Sequence, residues 1–256
     1  TTEVSSRTSS SQGIDIVLSI DISASMLARD LSPNRLEALK EVGVDFIKGR
    51  PADRIGLVVY AGESFTLTPV TSDKSIVIRA LEDLEYNTVL ENGTAIGMGL
   101  ATAVNRLKES TAKSKVIILL TAGVNNAGCI DPKIASELAV EYGIKTYTIG
   151  VGSNGMALSP VGVLPNGQFQ YGMAQVEIDE ALLQEIAQTT GGRYFRATDN
   201  EKLEEIYEEI DQLEKSEIEE FRYTNFEEKF RPFLLIAGFL LVMELLLRFT
   251  IFRSFI

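Results

Sequence analysis

Short apolar runs alternate with amphipathic stretches along most of the chain. Runs of β-branched and leucine side chains predict buried strands at residues 14–20, 54–60, 115–121, 144–151 and 193–197. Apolar positions spaced three and four residues apart predict helices at residues 33–48, 72–84, 94–109, 131–142 and 179–190. We expect Ser32 to cap the first of these helices and Pro33 to begin it. The alternation predicts an α/β fold with a doubly wound, mostly parallel central sheet flanked by helices.

Three segments depart from this alternation. Residues 65–70 are expected to return beside the strand at 54–60 as an antiparallel partner. Between residues 152 and 176 a further hairpin is predicted around Asn166-Gly167, either as a partner surface or as a plain loop. Residues 200–220 are strongly acidic with apolar residues at helical spacing. They predict an amphipathic helix with a solvated outer face, and a docking surface for a basic partner is the alternative.

The pattern also divides the chain into segments. Residues 1–12 are polar and rich in Ser and Thr, so they predict a flexible lead-in to the domain at residues 13–212. An acidic juxtamembrane linker at residues 213–232 is expected to lead to a transmembrane helix at residues 233–252. A short tail at residues 253–256 then ends the chain.

The segment at residues 233–252 has 20 mostly Leu, Phe and Ile residues, which is the length that crosses a bilayer core as a helix. Glu244 and Arg248 interrupt it four residues apart, in the orientation that pairs best on one helix face. An intramembrane carboxylate predicts contact with another helix. A core or amphipathic helix of a soluble protein is the alternative. Basic residues flank both ends, so the distribution of positive charge does not determine the orientation.

Composition excludes several classes of function. The net charge of −12 argues against a nucleic-acid-binding protein. The 256 residues include no His, which excludes Ser-His-Asp and Cys-His catalysis and every zinc site that uses His. Cys129 is the one cysteine, so no intrachain disulfide can form. Any metal ion is therefore expected to have oxygen ligands.

Hydroxyl and carboxylate groups follow the first predicted strand. Asp21, Ser23 and Ser25 form a D-x-S-x-S run there, and Thr94 lies at the start of a later helix. Since the carboxyl ends of parallel strands share one edge of a sheet, these groups are expected to meet. Mg²⁺ prefers such oxygen ligands and keeps several waters. The alternative is that the hydroxyls cap the turn and helix that follow them.

These motifs resemble the von Willebrand factor type A (VWA) family and its metal-ion-dependent adhesion site over roughly residues 13–212. The family pattern is D-x-S-x-S, a Thr in a later loop, and a T-D-G turn after the fourth strand. Asp21, Ser23, Ser25 and Thr94 match, whereas the turn reads Thr-Ala-Gly, with Ala122 in place of the site carboxylate. The resemblance implies a binding module, without catalysis, whose Mg²⁺ (or Mn²⁺ or Ca²⁺) is completed by a carboxylate from a partner protein.

Ala122 is expected to leave the metal ion weakly bound or absent while the fold stays intact. In the family the missing Asp acts through water, and loss of such an outer group weakens metal binding about 10–100-fold. Whether Ala122 is a natural or an engineered residue stays open. Cys129 follows in the same loop, either as a reactive thiol or as a small loop residue.

Longer stretches resemble one group of VWA proteins, the bacterial aerotolerance (Bat) family. They read GIDIVLSIDIS, DRIGLVVYAGESF, NGTAIGMGLATAVNRLK, YGIKTYTIGVG and TGGRYFRATD. The resemblance implies a protein of the bacterial inner membrane with its VWA domain on the periplasmic side. It also implies a MoxR-type AAA+ ATPase and sibling VWA membrane proteins as partners, in complex assembly or envelope stress tolerance. The family usually carries two upstream membrane helices, so this sequence is expected to be part of a longer chain or a relative with one anchor.

Two other functions stay open at this stage. Asp21 could be the phosphoryl-accepting nucleophile of a metal-dependent, phosphatase-like enzyme. Such enzymes need a second carboxylate and a Lys at a neighbouring strand end, and no Lys ends the strands at Tyr60, Thr121 or Val151. An anchored calcium-channel accessory subunit is less consistent with the absence of disulfides.

Overall fold

The computed structural model describes residues 13–86, 93–165, 168–223 and 231–250, with side chains described for residues 200–214 and 235–244 of the last two helices. Residues 1–12 and 253–256, the predicted lead-in and tail, lie outside the described residues, as does part of the predicted linker. Eight strands occur among these described residues: β1 (Asp15–Asp21), β2 (Arg54–Tyr60), β3 (Ser64–Thr71), β4 (Lys115–Thr121), β5 (Lys145–Val151), β6 (Gly155–Val163), β7 (Phe169–Val176) and β8 (Tyr194–Ala197). The helices are α1 (Arg35–Lys48), α2 (Lys74–Glu82), α3 (Ile96–Leu107), α4 (Pro132–Glu141), α5 (Glu180–Thr189), α6 (Asn200–Tyr223) and α7 (Arg231–Thr250).

Six of the strands form one sheet in the order β3-β2-β1-β4-β5-β8. β3 pairs antiparallel with β2, as predicted, and the other pairs are parallel. β1 lies at the centre between β2 and β4, and all seven of its residues are buried. Central strands buried on both faces are typical of parallel sheets covered by helices. The predicted fold class is therefore confirmed for the sheet domain.

Side chains that alternate along the strands divide the core into two layers. Val17 of β1 and Leu119 of β4 pack in a cluster with α3, α4 and α5. The intervening residues, such as Leu18, are equally buried and point toward the opposite face. On that side α1 packs against α6, with the rings of Phe46 and Tyr207 4.8 Å apart. Both faces of the sheet are thus shielded from water.

The first helix begins two residues later than predicted. Asn34, in extended conformation, is the N-cap of α1, and its side-chain oxygen accepts a 2.9 Å hydrogen bond from the Glu37 amide. Ser32 and Pro33 therefore precede the helix, and the predicted cap was wrong. An amide oxygen placed in this way satisfies one of the otherwise unpaired N–H groups of the first turn.

The segment between β5 and α5 forms its own two-stranded antiparallel sheet, β6 with β7, as predicted. The predicted turn residues Asn166 and Gly167 lie outside the described residues. The amide of Arg29 donates a 2.9 Å hydrogen bond to the Leu158 carbonyl, and the Arg29 guanidinium lies 4.0 Å from the centre of the Tyr171 ring. The hairpin is therefore attached to the loop that follows β1.

The C-terminal part of the chain is helical. The acidic amphipathic helix is present as α6, with buried residues at the predicted apolar positions Leu203, Ile206 and Ile210. One compact unit comprises Ser10–Glu214, and a second contains Lys215–Ile256. In α7 the described side chains at residues 235–244 are all exposed, Glu244 among them, and that of Arg248 is not described. Within the described part of the chain, no helix combines the length and apolar character needed to cross a membrane.

Candidate metal centre

The predicted site residues meet at the carboxyl edge of the sheet. Asp21 ends β1, and Ser23 and Ser25 follow it in the loop that includes a 3-10 turn at Ala24–Leu27. Thr94 lies in the loop before α3, and Thr121 ends β4. Because β1 and β4 are adjacent and parallel, their last residues lie side by side. The structure thus brings the predicted groups from separate loops together.

Three hydroxyl groups lie at the spacing of metal ligands. The Oγ atoms of Ser23 and Ser25 are 2.9 Å apart, and Thr94 Oγ1 donates to Ser23 Oγ at 3.2 Å. Adjacent ligands of an octahedral Mg²⁺ ion, each at about 2.1 Å from the ion, are about 3 Å apart. Ser23 and Thr94 are buried, and Ser25 is partly exposed. The hydroxyl cluster formed by Ser23, Ser25 and Thr94 therefore fits a small divalent cation approached from solvent.

The alternative in which these hydroxyls cap helices is wrong for Ser23 and Thr94. Ser23 is the N-cap residue of the 3-10 turn, yet its side chain makes no capping hydrogen bond. The cap position of α3 is Ala95, so Thr94 lies one residue before it. Both hydroxyls point instead toward the shared cluster.

Asp21 holds the loop after β1 and the turn after β4 together through buried hydrogen bonds. Its side chain is fully buried; Oδ1 accepts from the Ser23 amide at 2.8 Å, and Oδ2 accepts from Thr121 Oγ1 at 2.8 Å and the Ala122 amide at 3.3 Å. Burial raises the pKa of Asp21, and the hydrogen bonds from Ser23, Thr121 and Ala122 only partly offset that effect. Because burial penalises the charged carboxylate, a cation bound nearby would favour ionisation. Asp21 is thus placed to order the loop and to supply negative charge.

The turn after β4 supports the cluster with its backbone. Ala122 is 1% exposed; its amide binds Asp21, and its carbonyl accepts a 3.2 Å hydrogen bond from Arg35 Nη1. A Cβ atom on Gly123 would lie 3.2 Å from Thr94 Oγ1, so this position borders the hydroxyl cluster directly. Across the described residues, no group of three or more Cys, Asp or Glu side chains is placed to hold a metal ion. Asp21 is the one carboxylate among the four matching residues.

Two amides of the same turn hold the Thr94 loop, a role that sequence analysis did not assign. Asn126 Oδ1 accepts from the Thr94 amide at 2.8 Å, and the Asn126 amide donates to the Thr94 carbonyl at 3.1 Å. Asn125 Oδ1 accepts from the Ile96 amide at 2.9 Å. These bonds satisfy donors at the start of α3 that no intrahelical carbonyl reaches. They also attach the loop that carries Thr94 to the turn after β4.

Sequence analysis also missed a buried ion pair beside the site. Arg35 is fully buried and binds both carboxylate oxygens of Asp30, at 2.7 and 2.6 Å. Burial alone would raise the pKa of Asp30, but hydrogen bonds from Arg35 and Ser153 and the charge of Arg35 outweigh it and lower that pKa to about 2. The sequence contained an indication of this ion pair. Arg35 lies on the same helix face as Ala38 and Leu39, and a charged side chain on a buried apolar face requires a partner of opposite charge.

Cys129 lies in the exposed loop before α4, with its sulfur 3.6 Å from that of Met98. Its assignment as a reactive thiol or as a small loop residue stays a prediction.

Comparison with known proteins agrees with this geometry. The von Willebrand factor type A domain family matches residues 15–209. An uncharacterized protein of Borreliella burgdorferi is 34% identical over 234 residues, which are 91% of this chain and 68% of that protein. A UPF0353 protein of Nocardia farcinica is 26% identical over 215 residues, which are 77% of this chain and 62% of that protein.

Two solved structures are similar over most of the chain. The crystal structure of BatB from Bacteroides thetaiotaomicron has a TM-score of 0.67 at 30% identity and covers 79% of this chain and 98% of its own. An aerotolerance-related membrane protein from Bacteroides fragilis, crystallised with multiple mutations to serine, has a TM-score of 0.65 at 29% identity and covers 78% and 96%. The chain therefore belongs to the von Willebrand factor type A family and resembles its Bat members.

Proposed function

We propose that this protein is a protein-interaction module, without catalysis, that binds partners through a divalent cation, Mg²⁺ or Mn²⁺. The observation that carries the proposal is the convergence of the three hydroxyls of the cluster, at 2.9 and 3.2 Å, above the buried Asp21 carboxylate. Ser23, Ser25 and Thr94 would hold the ion, and Asp21 would orient a water on it. The ion would supply a positive charge at the surface for an incoming ligand.

The charge of the site indicates the chemistry of the partner. Among the four site residues Asp21 alone is ionisable, so a bound divalent cation would keep a net positive charge. The nearby Arg35 charge is balanced by Asp30. An anionic group is the natural ligand for the remaining coordination position, and a carboxylate of a partner protein fits that requirement.

The phosphatase-like alternative is less consistent with the geometry. A nucleophilic Asp21 would need an accessible oxygen, but its side chain is fully buried and both oxygens accept hydrogen bonds. An assay with a generic aryl phosphate and Mg²⁺ tests this alternative. Metal-dependent turnover that Asp21→Asn abolishes would favour the enzyme over the binding module.

We further propose that residues 233–252 anchor the domain in the bacterial inner membrane, with the domain on the periplasmic side. Support comes from the seven large apolar side chains between Leu235 and Met243, each at least 43% exposed. It also comes from the B. fragilis relative, which is named a membrane protein. Glu244 and Arg248 would then mark contact with another membrane helix. A MoxR-type AAA+ ATPase and sibling VWA membrane proteins are the proposed partners in complex assembly or envelope stress tolerance.

Calorimetric titration with Mg²⁺ and Mn²⁺ tests the metal site. We expect weak binding by the chain as it stands and binding about 10–100-fold tighter after Ala122→Asp, which restores a carboxylate beside the cluster. In the Ala122→Asp chain, Ser25→Ala should remove most of that gain. Ser136→Ala, which deletes a buried hydroxyl bound to the Lys133 carbonyl in α4, is the matched control and should retain it. Tight binding by the unaltered chain, or no gain from Ala122→Asp, would contradict the proposal.

Capture of partners from solubilised bacterial membranes tests the function. The original chain and the Ala122→Asp chain are compared, each in a buffer with Mg²⁺ and in a buffer with a chelator. We expect Mg²⁺-dependent recovery of the AAA+ ATPase and of sibling VWA proteins, stronger with the carboxylate restored. Equal recovery in the chelator would show that the interaction does not use the metal ion.

A further inference from the structure

Arg35 connects the two loops that flank the hydroxyl cluster. It is the first residue of α1, and its side chain has no exposed surface. Nη1 donates to the Ser25 carbonyl at 3.3 Å and to the Ala122 carbonyl at 3.2 Å. One guanidinium nitrogen thus bridges the loop after β1 and the turn after β4 from the interior of the protein.

The orientation of the guanidinium is set from the other side. Nε and Nη2 bind the two oxygens of Asp30, and Ser153 donates to Asp30 Oδ2 from its amide at 2.8 Å and its hydroxyl at 3.1 Å. Gly152 leaves the space that the guanidinium occupies, since a Cβ atom there would lie 2.3 Å from Arg35 Cζ. The Arg35 guanidinium is therefore confined by the Asp30 carboxylate along one edge and by the Gly152 backbone against one face of its plane.

From this geometry we propose that Arg35 is a positioning residue of the candidate metal site, an inference that rests on the proposed function. Its planar fork holds the Ser25 and Ala122 carbonyls at a fixed separation, and so would fix where the Ser25 hydroxyl and residue 122 lie relative to a bound ion. Lysine would keep the charge but cannot bind Asp30 with two parallel bonds and reach both carbonyls at once. The arrangement therefore depends on the guanidinium and not on positive charge alone.

Arg50 provides a matched control at the other end of α1. It is also buried and charged, with ion pairs of 2.9 Å to Asp53 and to Asp211. The 14 residues of α1 separate the two arginines by about 20 Å along the helix axis. Arg35→Lys and Arg50→Lys thus make the same chemical change in similar surroundings, one beside the cluster and one far from it.

The test measures Mn²⁺ affinity and amide hydrogen exchange in Ala122→Asp chains with Arg35→Lys, with Arg50→Lys, or with neither. We expect Arg35→Lys to weaken Mn²⁺ binding at least about tenfold, as loss of an orienting group does. Without the ion, it should also speed exchange at residues 23–28 and 121–126. Arg50→Lys should lower the unfolding midpoint but leave Mn²⁺ affinity and exchange in those segments unchanged.

The outcomes separate this inference from the proposed function. Unchanged exchange and affinity in Arg35→Lys, or equal changes in both variants, would overturn the positioning role. If the Ala122→Asp chain with both arginines binds no Mn²⁺, the proposed metal function fails. The exchange measurement on the ion-free chains then still decides whether Arg35 holds the two loops in place.

Discussion

The hydroxyl of Thr121 donates a 2.8 Å hydrogen bond to Oδ2 of Asp21, joining the last residues of β4 and β1. Both residues are fully buried, so neither oxygen can exchange this bond for one to water. The contact aligns the loop that carries the serines with the turn that carries Ala122. It also leaves the Asp21 carboxylate pointing into the protein, as expected for a group that orders ligands rather than one that attacks a substrate.

Thr121→Val should destabilise the fold by about 2 kcal/mol, because it removes a buried hydrogen bond to a carboxylate while keeping the shape of the side chain. Thr148→Val is the matched control, since the Thr148 hydroxyl is equally buried but donates to a neutral carbonyl, that of Leu183, at 2.9 Å. We expect the control to lose about 1 kcal/mol. Urea unfolding measures both. A larger loss in Thr148→Val than in Thr121→Val would show that the bond to Asp21 is not the stronger of the two.

Asn126→Ala should loosen the Thr94 loop more than it affects the whole fold. The change removes the acceptor of the Thr94 amide and is expected to cost about 1 kcal/mol of unfolding free energy. Amide exchange at residues 94–96 should become faster, while exchange within β1 stays unchanged. Asn126→Asp retains an acceptor at the same atom position and should preserve the slow exchange. Identical exchange in the Ala and Asp variants would show that this side chain does not hold the loop.

Gly152→Ala should destabilise the protein more than Gly155→Ala. Both glycines have positive φ, +112° and +118°, so each substitution introduces backbone strain of about 1–3 kcal/mol. At Gly152 the new methyl would also overlap the Arg35 guanidinium at 2.3 Å, whereas no atom lies within 4 Å of the corresponding position at Gly155. Thermal and urea unfolding measure the difference. Equal losses would mean that Arg35 has room to move aside without cost.

Asp30 should contribute to acid sensitivity. Its folded-state pKa of about 2 is below the ordinary value of 3.8, so ionised Asp30 stabilises the fold above pH 3.8, and this contribution is lost as pH falls toward 2. Because Asp30 is only partly buried and solvent screens its pairing, we expect a loss of about 1 kcal/mol over the range measured. Urea unfolding from pH 5 to pH 2.5 should show a steeper loss in the original chain than in Asp30→Asn, which has no group to titrate there. Parallel curves would contradict the strong pairing with Arg35.

The limits of helices and strands could largely be predicted because they depend on local patterns. β1 was predicted at residues 14–20 and spans Asp15–Asp21, and α4 was predicted at residues 131–142 and spans Pro132–Glu141. The first residue of a helix is harder to predict where several consecutive residues could each precede or begin it. Ser32, Pro33 and Asn34 are all acceptable near a helix start, and in the structure it is the Asn34 side chain that accepts from the Glu37 amide. The same difficulty affects α3, which was predicted from residue 94 but has Ala95 at its cap position.

The order of residues was enough to indicate the alternation of buried strands and amphipathic helices, the D-x-S-x-S run and the lack of a carboxylate at position 122. The strands and helices can be recognised from neighbouring residues, because burial recurs with the period of the strand or helix. The motif and the missing carboxylate are read directly from the residues. The three-dimensional fold was needed to show that Thr94 meets Ser23, that Asn126 holds the Thr94 loop and that Arg35 joins two loops through the Ser25 and Ala122 carbonyls. The Thr94–Ser23, Thr94–Asn126 and Arg35–Ala122 contacts join residues that are 71, 32 and 87 positions apart, and a hydrogen bond needs an approach within about 3 Å that periodicity cannot encode.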